Sequence, residues 1–146
     1  MTYPVLDIAN KLLLKATEYD GGELMSNMKL QKMLYYQQGY HLAAFGTPLF
    51  SEEVEAWMYG PVVPCVYEHF KKFGAGGIIP ETQTPTLLAE EEEALFYDVF
   101  NAYINFSALG LMEKTHNESP WLSTPRGVGN VISKDKMRRY FEKQLA

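Results

Sequence analysis

The chain has 146 residues and a mass of 16.7 kDa, enough for one domain whose core needs no disulfide or metal staple. Hydrophobic residues make up 47% and charged residues 21%, which excludes general disorder, and a single cysteine excludes a disulfide framework and fits a reducing compartment. The formal charge of −5 is uneven: residues 126–146 carry six basic side chains against two acids, and the remainder is strongly acidic. In chain order, Leu6, Ala9, Leu13 and Ala16, flanked by Val5, Ile8 and Leu12, predict an amphipathic helix over 3–18 that Asp20-Gly21-Gly22 ends. Ser26 is a good N-cap. Leu30, Met33, Leu34, Gln37 and His41 then predict a helix over 27–45, with Gly46 at its left-handed end. Val54, Ala56 and Met58 alternate with polar or aromatic neighbours, a strand pattern that Gly60-Pro61 is expected to stop. Pro64 opens a helix that runs to Gly74, and Ile78-Ile79 is expected as a second short strand.

Residues 80–86 read as a loop, after which Glu90–Glu93 open a helix whose buried stripe is Leu95, Val99 and Ala102 or Tyr103. Four acids in a first turn suit the helix dipole and are expected to be solvated. Ser107 caps a short helix through Leu109, Leu111 and Met112; 117–120 and 127–130 read as loops. Ser133 caps a last helix with Met137, Tyr140 and Phe141 on its apolar side. The fold class expected is therefore mainly α, a single domain of about six helices with a small two-stranded β element.

Chemistry is sparse. Cys65 stands near a helix N-terminus, where a thiol pKa falls, with His69 one turn on. These two with His116 and Glu118 form the enzyme alternative; the plainer expectation is a small buried thiol beside Val66 and Tyr67. His41, His69 and His116 match no compact zinc spacing, and no phosphate-binding glycine loop is present, so neither a metal nor a cofactor is expected. Lys29 and Lys32 occupy helix faces neighbouring those of Tyr35 and Tyr36, but two lysines neutralise too few phosphates to hold nucleic acid. The tyrosines are expected to bury their rings and use their hydroxyls at an interface or across the core. No apolar run reaches the ~18–20 residues that span a bilayer, and the first residues lack a signal-peptide pattern, so a cytoplasmic, membrane-free protein is expected.

One ordered series of motifs goes further. Leu30-Gln31-Lys32-Met33-Leu34-Tyr35-Tyr36, Gly39-Tyr40-His41-Leu42-Ala43, Gly46-Thr47-Pro48-Leu49-Phe50 and Glu55-Ala56-Trp57-Met58-Tyr59-Gly60-Pro61-Val62-Val63-Pro64 resemble the Panacea domain family, SocA-like or GepA-like phage-associated antitoxins. Thr115-His116 and Pro120-Trp121 match its later pattern, and the resemblance covers about residues 3–143. Met33 stands where the family commonly has leucine and Tyr40 where it commonly has tryptophan. The resemblance implies one Panacea domain over 1–146 and a non-enzymatic antitoxin that neutralises a cognate toxin, encoded by the adjacent gene, through direct binding. Its alternative is an adaptor that delivers a toxin to a bacterial ATP-dependent protease. The motif residues it marks, as scaffold or toxin interface, are Lys29, Leu30, Gln31, Lys32, Leu34, Tyr35, Tyr36, His41, Trp57, Tyr59, Gly60, Pro61, Thr115, His116, Pro120 and Trp121.

Overall fold

Ser26 and Gly46 delimit the helix around which the molecule is organised. The Ser26 hydroxyl accepts from the Lys29 N–H at 3.3 Å, and Gly46 takes a left-handed conformation at φ 73° that a side chain would strain. Between them α2 (Asn27–Phe45) matches the helix expected from the spacing. Its burial does not match a single apolar stripe. Thirteen of its nineteen positions are buried, Gln31, Lys32, Gln37, Gln38 and His41 among them, so α2 is a core helix enclosed on all sides over 30–39.

The computed structural model describes residues 2–19, 22 and 24–145. Helix α1 (Val5–Glu18) buries Ile8, Ala9, Leu12 and Leu13, with Pro4 as its N-cap; the expected stop at Asp20-Gly21 lies outside the described residues. After α2 the chain forms a hairpin of β1 (Val54–Trp57) and β2 (Gly60–Val62), with Ala56 opposite Pro61. Gly60-Pro61 therefore does not stop the sheet. Met58-Tyr59 is the turn, and Pro61 sits where its missing N–H costs no ladder bond to a third strand on that edge. Helix α3 (Pro64–His69) and a 3₁₀ turn at 71–73 follow. Ile78 buries its side chain as a single extended residue, its N–H bonded to Met25, and is not the second strand.

Helix α4 (Glu90–Tyr103) faces the core through Phe96, Val99, Phe100 and Tyr103, a stripe rotated by one residue from Leu95 because the aromatics are the larger apolar surface. Its acids are not all solvated. Glu92 accepts from the Tyr3 hydroxyl and pairs with His41, and Glu93 pairs with buried Lys11 at 2.6 Å. Helix α5 (Ala108–His116) begins at the Ser107 cap, which accepts from Gly110 N–H at 2.9 Å. The expected loop at 117–120 is partly a short helix, α6 (Ser119–Leu122). Val131–Ile132 add β3 to the free edge of β1, giving the antiparallel order β2-β1-β3. The architecture is mainly α, with seven helices and three strands among the described residues.

The last helix, α7 (Lys134–Leu145), packs along α2 with Met137 and Phe141 buried. The approach is close because position 39 is glycine: a Cβ there would overlap the Phe141 ring. Gly39→Ala therefore trades a helix-propensity gain of ~1 kcal/mol for an overpacking cost of about 1–3 kcal/mol. A lowered urea midpoint is expected; a raised one would show that α7 does not seat on α2 through Phe141.

Candidate functional site

The buried polar side chains of α2 reach four neighbouring elements. Toward the hairpin, Gln31 Oε1 accepts from Val63 N–H at 2.8 Å while its amide donates to Asn27, which in turn donates to the Tyr67 carbonyl. Toward the chain after α2, Gln38 donates to the Phe50 carbonyl and accepts from Leu49 N–H, both at 2.8 Å. Gln37 donates to the Phe96 carbonyl of α4. His41 contacts the Thr47 carbonyl and the Glu92 carboxylate through its two ring nitrogens. Burial alone would raise the Glu92 pKa, but the Tyr3 and His41 hydrogen bonds hold it below the ordinary carboxylate value.

Tyr35 and Tyr36 point the other way, and their hydroxyls donate to the two oxygens of one carboxylate, Glu118, at 3.0 and 2.9 Å. The rings meet Phe141 edge-on, and Tyr36 also stacks on Tyr103 at 3.9 Å. Burial pushes both phenols well above their ordinary range, with the Glu118 charge adding to it. Burial likewise raises Glu118, against the tyrosine hydroxyls and Lys114, which favour its ionised form. Glu118 is thus a structural acid joining α2 to the start of α6. The sequence signal for it was an isolated acid before Ser-Pro, and nothing in that pattern points back to residues some 80 positions earlier.

Lys32 differs from these groups. Its side chain is 1% exposed, and its ammonium has one weak partner among the described residues, the Pro61 carbonyl at 3.3 Å. Gly60 makes room for it: a Cβ at that position would lie 2.5 Å from Lys32 Cε, and φ there is 111°. Burial, with no acid to offset it, lowers the Lys32 pKa to about 7. His116 lies near. Its ring stacks on Trp121 at 3.9 Å, and the Arg126 guanidinium lies over the same indole. His116 Nε2 is buried without a hydrogen-bond partner among the described residues. Burial lowers the His116 pKa, and the charges of Lys32 and Arg126 add to that.

Lys32 also lines an open pocket of roughly 460 Å³, within the size range of natural ligand sites. Trp57, Tyr59, Val62 and Tyr67 form one side, and Met28, Gln31 and Ala108 the other. Tyr67 meets Trp57 edge-on, and Trp57 is held by its indole N–H donating to Glu55 and by its carbonyl accepting from Trp121. A second pocket of about 520 Å³ shares Ser26 and Ala108 with the first and is lined by Lys29, Leu24 and Phe106. Lys29 donates to the Ile104 carbonyl at 2.6 Å.

The motif residues therefore divide by place. Leu30, Leu34, Tyr35, Tyr36 and His41 are buried in the core. Gln31, Lys32, Trp57 and Tyr59 line the pocket; Gly60 and Pro61 carry Lys32. Thr115, His116, Pro120 and Trp121 sit behind the hairpin, with Thr115 Oγ1 donating to the Met112 carbonyl. Sequence reasoning missed Met28, Tyr67 and Ala108 as pocket residues, because they are brought together only by the hairpin's approach to α2.

The enzyme constellation does not assemble. Cys65 is exposed and not packed as the small buried thiol expected, and burial together with Glu52 raises its pKa, away from the thiolate. His69 pairs instead with Glu81 at 2.9 Å, and Glu118 is committed to the tyrosines. Among the described residues no cluster of three metal-ligating side chains occurs, and no helix is long and apolar enough to cross a membrane.

Comparison with known proteins points one way. The family model described as Antitoxin SocA-like, Panacea domain matches residues 30–122, which run from the first turn of α2 to the end of α6. Antitoxin SocA of Caulobacter vibrioides (strain NA1000 / CB15N) is 44% identical over 72 residues, 49% of this chain and 37% of that protein. The chain thus matches little more than a third of the relative's length. No solved structure matches.

The burial of Lys32 has a measurable consequence. Its folded pKa, about 7, lies below the ordinary 10.5. Between those values the unfolded chain holds a proton the folded chain lacks, so stability from this group rises with pH across that window. Lys32→Met should be more stable than wild type at about pH 6, on the order of 1–4 kcal/mol as for other buried charges replaced by apolar groups. The gap should narrow by about pH 10, read from chemical denaturation at both values. A gap that does not change with pH would show that Lys32 stays charged in the fold.

Proposed function

The chain belongs to the Antitoxin SocA-like, Panacea domain family, and from that membership we propose that it is an antitoxin that neutralises a cognate toxin by direct protein–protein contact. The match over residues 30–122 carries this reading, and the relative named Antitoxin SocA supports it. The match covers α2, the hairpin and α5–α6, the elements that form both the buried tyrosine–glutamate network and the pocketed face. A binding protein needs a rigid scaffold beneath a face with apolar anchors, and buried aromatic anchors carry affinity while rim charges tune the rate of encounter.

In this reading the chain acts by occlusion, without catalysis, in the cytoplasm. The dismantled Cys65–His69 pairing favours it over the hydrolase alternative. The toxin is expected from the adjacent gene. Expressed alone, that gene should arrest growth. Co-expression with this chain should restore it, and the two proteins should co-purify with an unshortened partner lifetime. A neighbour that is harmless alone, or a toxic one neither bound nor relieved, overturns the antitoxin reading. Rescue accompanied by rapid loss of the partner would instead assign delivery to a protease.

A further inference from the structure

The pocket beside Lys32 is lined mainly by apolar and aromatic side chains, and large hydrophobic side chains stand exposed next to it. Tyr59 is 60% exposed and Met58 beside it 69%, although both are large hydrophobic side chains. Both form the hairpin turn, Tyr59 lines the 460 Å³ pocket, and Ser26 and Ala108 join that pocket to its 520 Å³ neighbour. A small molecule would fill one pocket and leave the other, with exposed Leu24 and Phe106 around it, uncovered. A polypeptide segment crossing Ala108 covers both. The wall of this apolar space holds one buried cation that lacks an acid among the described residues, so the missing complement is an anion.

We propose that the groove receives a segment of the partner protein whose apolar side chains lie between Trp57, Tyr59 and Met28, and whose acidic side chain is set against the ammonium of Lys32. This rests on the antitoxin reading and specifies the chemistry by which the toxin is held. An acidic group seated on this apolar lining would meet a cation that is itself buried, and such a pairing gives specificity as well as affinity. The lowered Lys32 pKa agrees with a group held short of its partner in the free protein. Gly60 leaves the space that the end of the lysine stem occupies.

The test uses the product of the adjacent gene as the probe and measures its affinity for three variants. Lys32→Met removes the cation but keeps its apolar stem; Ala108→Trp fills the junction of the two pockets from a half-exposed position. Glu90→Ala on distant α4 is the control. Circular dichroism and denaturation confirm that each is folded. Both groove variants should lose at least about tenfold in affinity, a cost typical of losing an anchor, while the control stays at wild type. Each Asp and Glu of the partner is then changed to Asn or Gln. One of them should weaken binding to wild type yet cause no further loss against Lys32→Met, a coupling that a merely structural lysine would not produce. Either groove variant binding as wild type does, or the absence of any coupled acid, overturns the groove assignment and leaves the antitoxin reading standing. Failure of the wild type itself to bind would overturn both.

Discussion

A helix segment buried on every side, as 30–39 of α2 is, must find partners for the polar groups it carries, and that requirement organises this molecule. α2 takes Asn27, Gln31, Lys32, Gln37, Gln38 and His41 into the interior. Each unsatisfied group there would cost on the order of 1–3 kcal/mol, so the surrounding chain is placed to meet them. The hairpin enters where Gln31 accepts from Val63, residues 49–50 where Gln38 bonds their backbone, and α4 where Gln37 and His41 find the Phe96 carbonyl and Glu92. These bonds add little net stability each. They add register: a slip of the hairpin or of α4 by one residue would orphan several of them at once.

Glu118 and Lys32 show two outcomes of the same constraint. Glu118 is buried by the arrival of α6, and the paired phenols of Tyr35 and Tyr36 use both of its oxygens. Its charge is thereby absorbed into the scaffold. Lys32 lies on a neighbouring part of the same helix with one long bond to Pro61, and the fold supplies it no acid among the described residues. Among the described residues the other buried polar side chains of α2 each hold at least one hydrogen bond of ordinary length or an acid partner, so the contrast is informative. Lys32 also lines the 460 Å³ pocket, whose Tyr59 stays exposed.

How much of this could be read beforehand depends on whether the determinant is local. The limits of α2 were legible because a serine cap and a left-handed glycine are chemical signals within a few residues of the helix ends. Ser107 and Ser133 marked helix starts for the same reason. The local pattern puts the second strand at 78–79 because Gly60-Pro61 has the chemistry of a break, whereas the sheet tolerates a proline on its outer edge. β3 is two residues long and exists only where Val54 and Glu55 offer it an edge. Glu92 and Glu93 looked like a solvated first turn because nothing local reveals that Tyr3, Lys11 and His41 converge on them. The motif residues were legible as a set through family resemblance. Their division into core and groove was not, since Tyr35 and Trp57 look alike in sequence and differ only in which way the fold turns them.

That division bears on how one domain could serve different partners. The residues buried around Glu118 are mutually dependent, so changing one leaves a charge or a phenol stranded, and such networks resist piecemeal change. The groove is built otherwise. Met28, Tyr59 and Ala108 contact solvent on one side and can change without orphaning a buried polar atom, while Lys32 and Gly60 are tied to each other by the space one leaves for the other. On the groove proposal, a surface of this kind would keep one buried cation as an anchor while the apolar rim around it changed. Specificity would then come from the fit and the clashes of the rim.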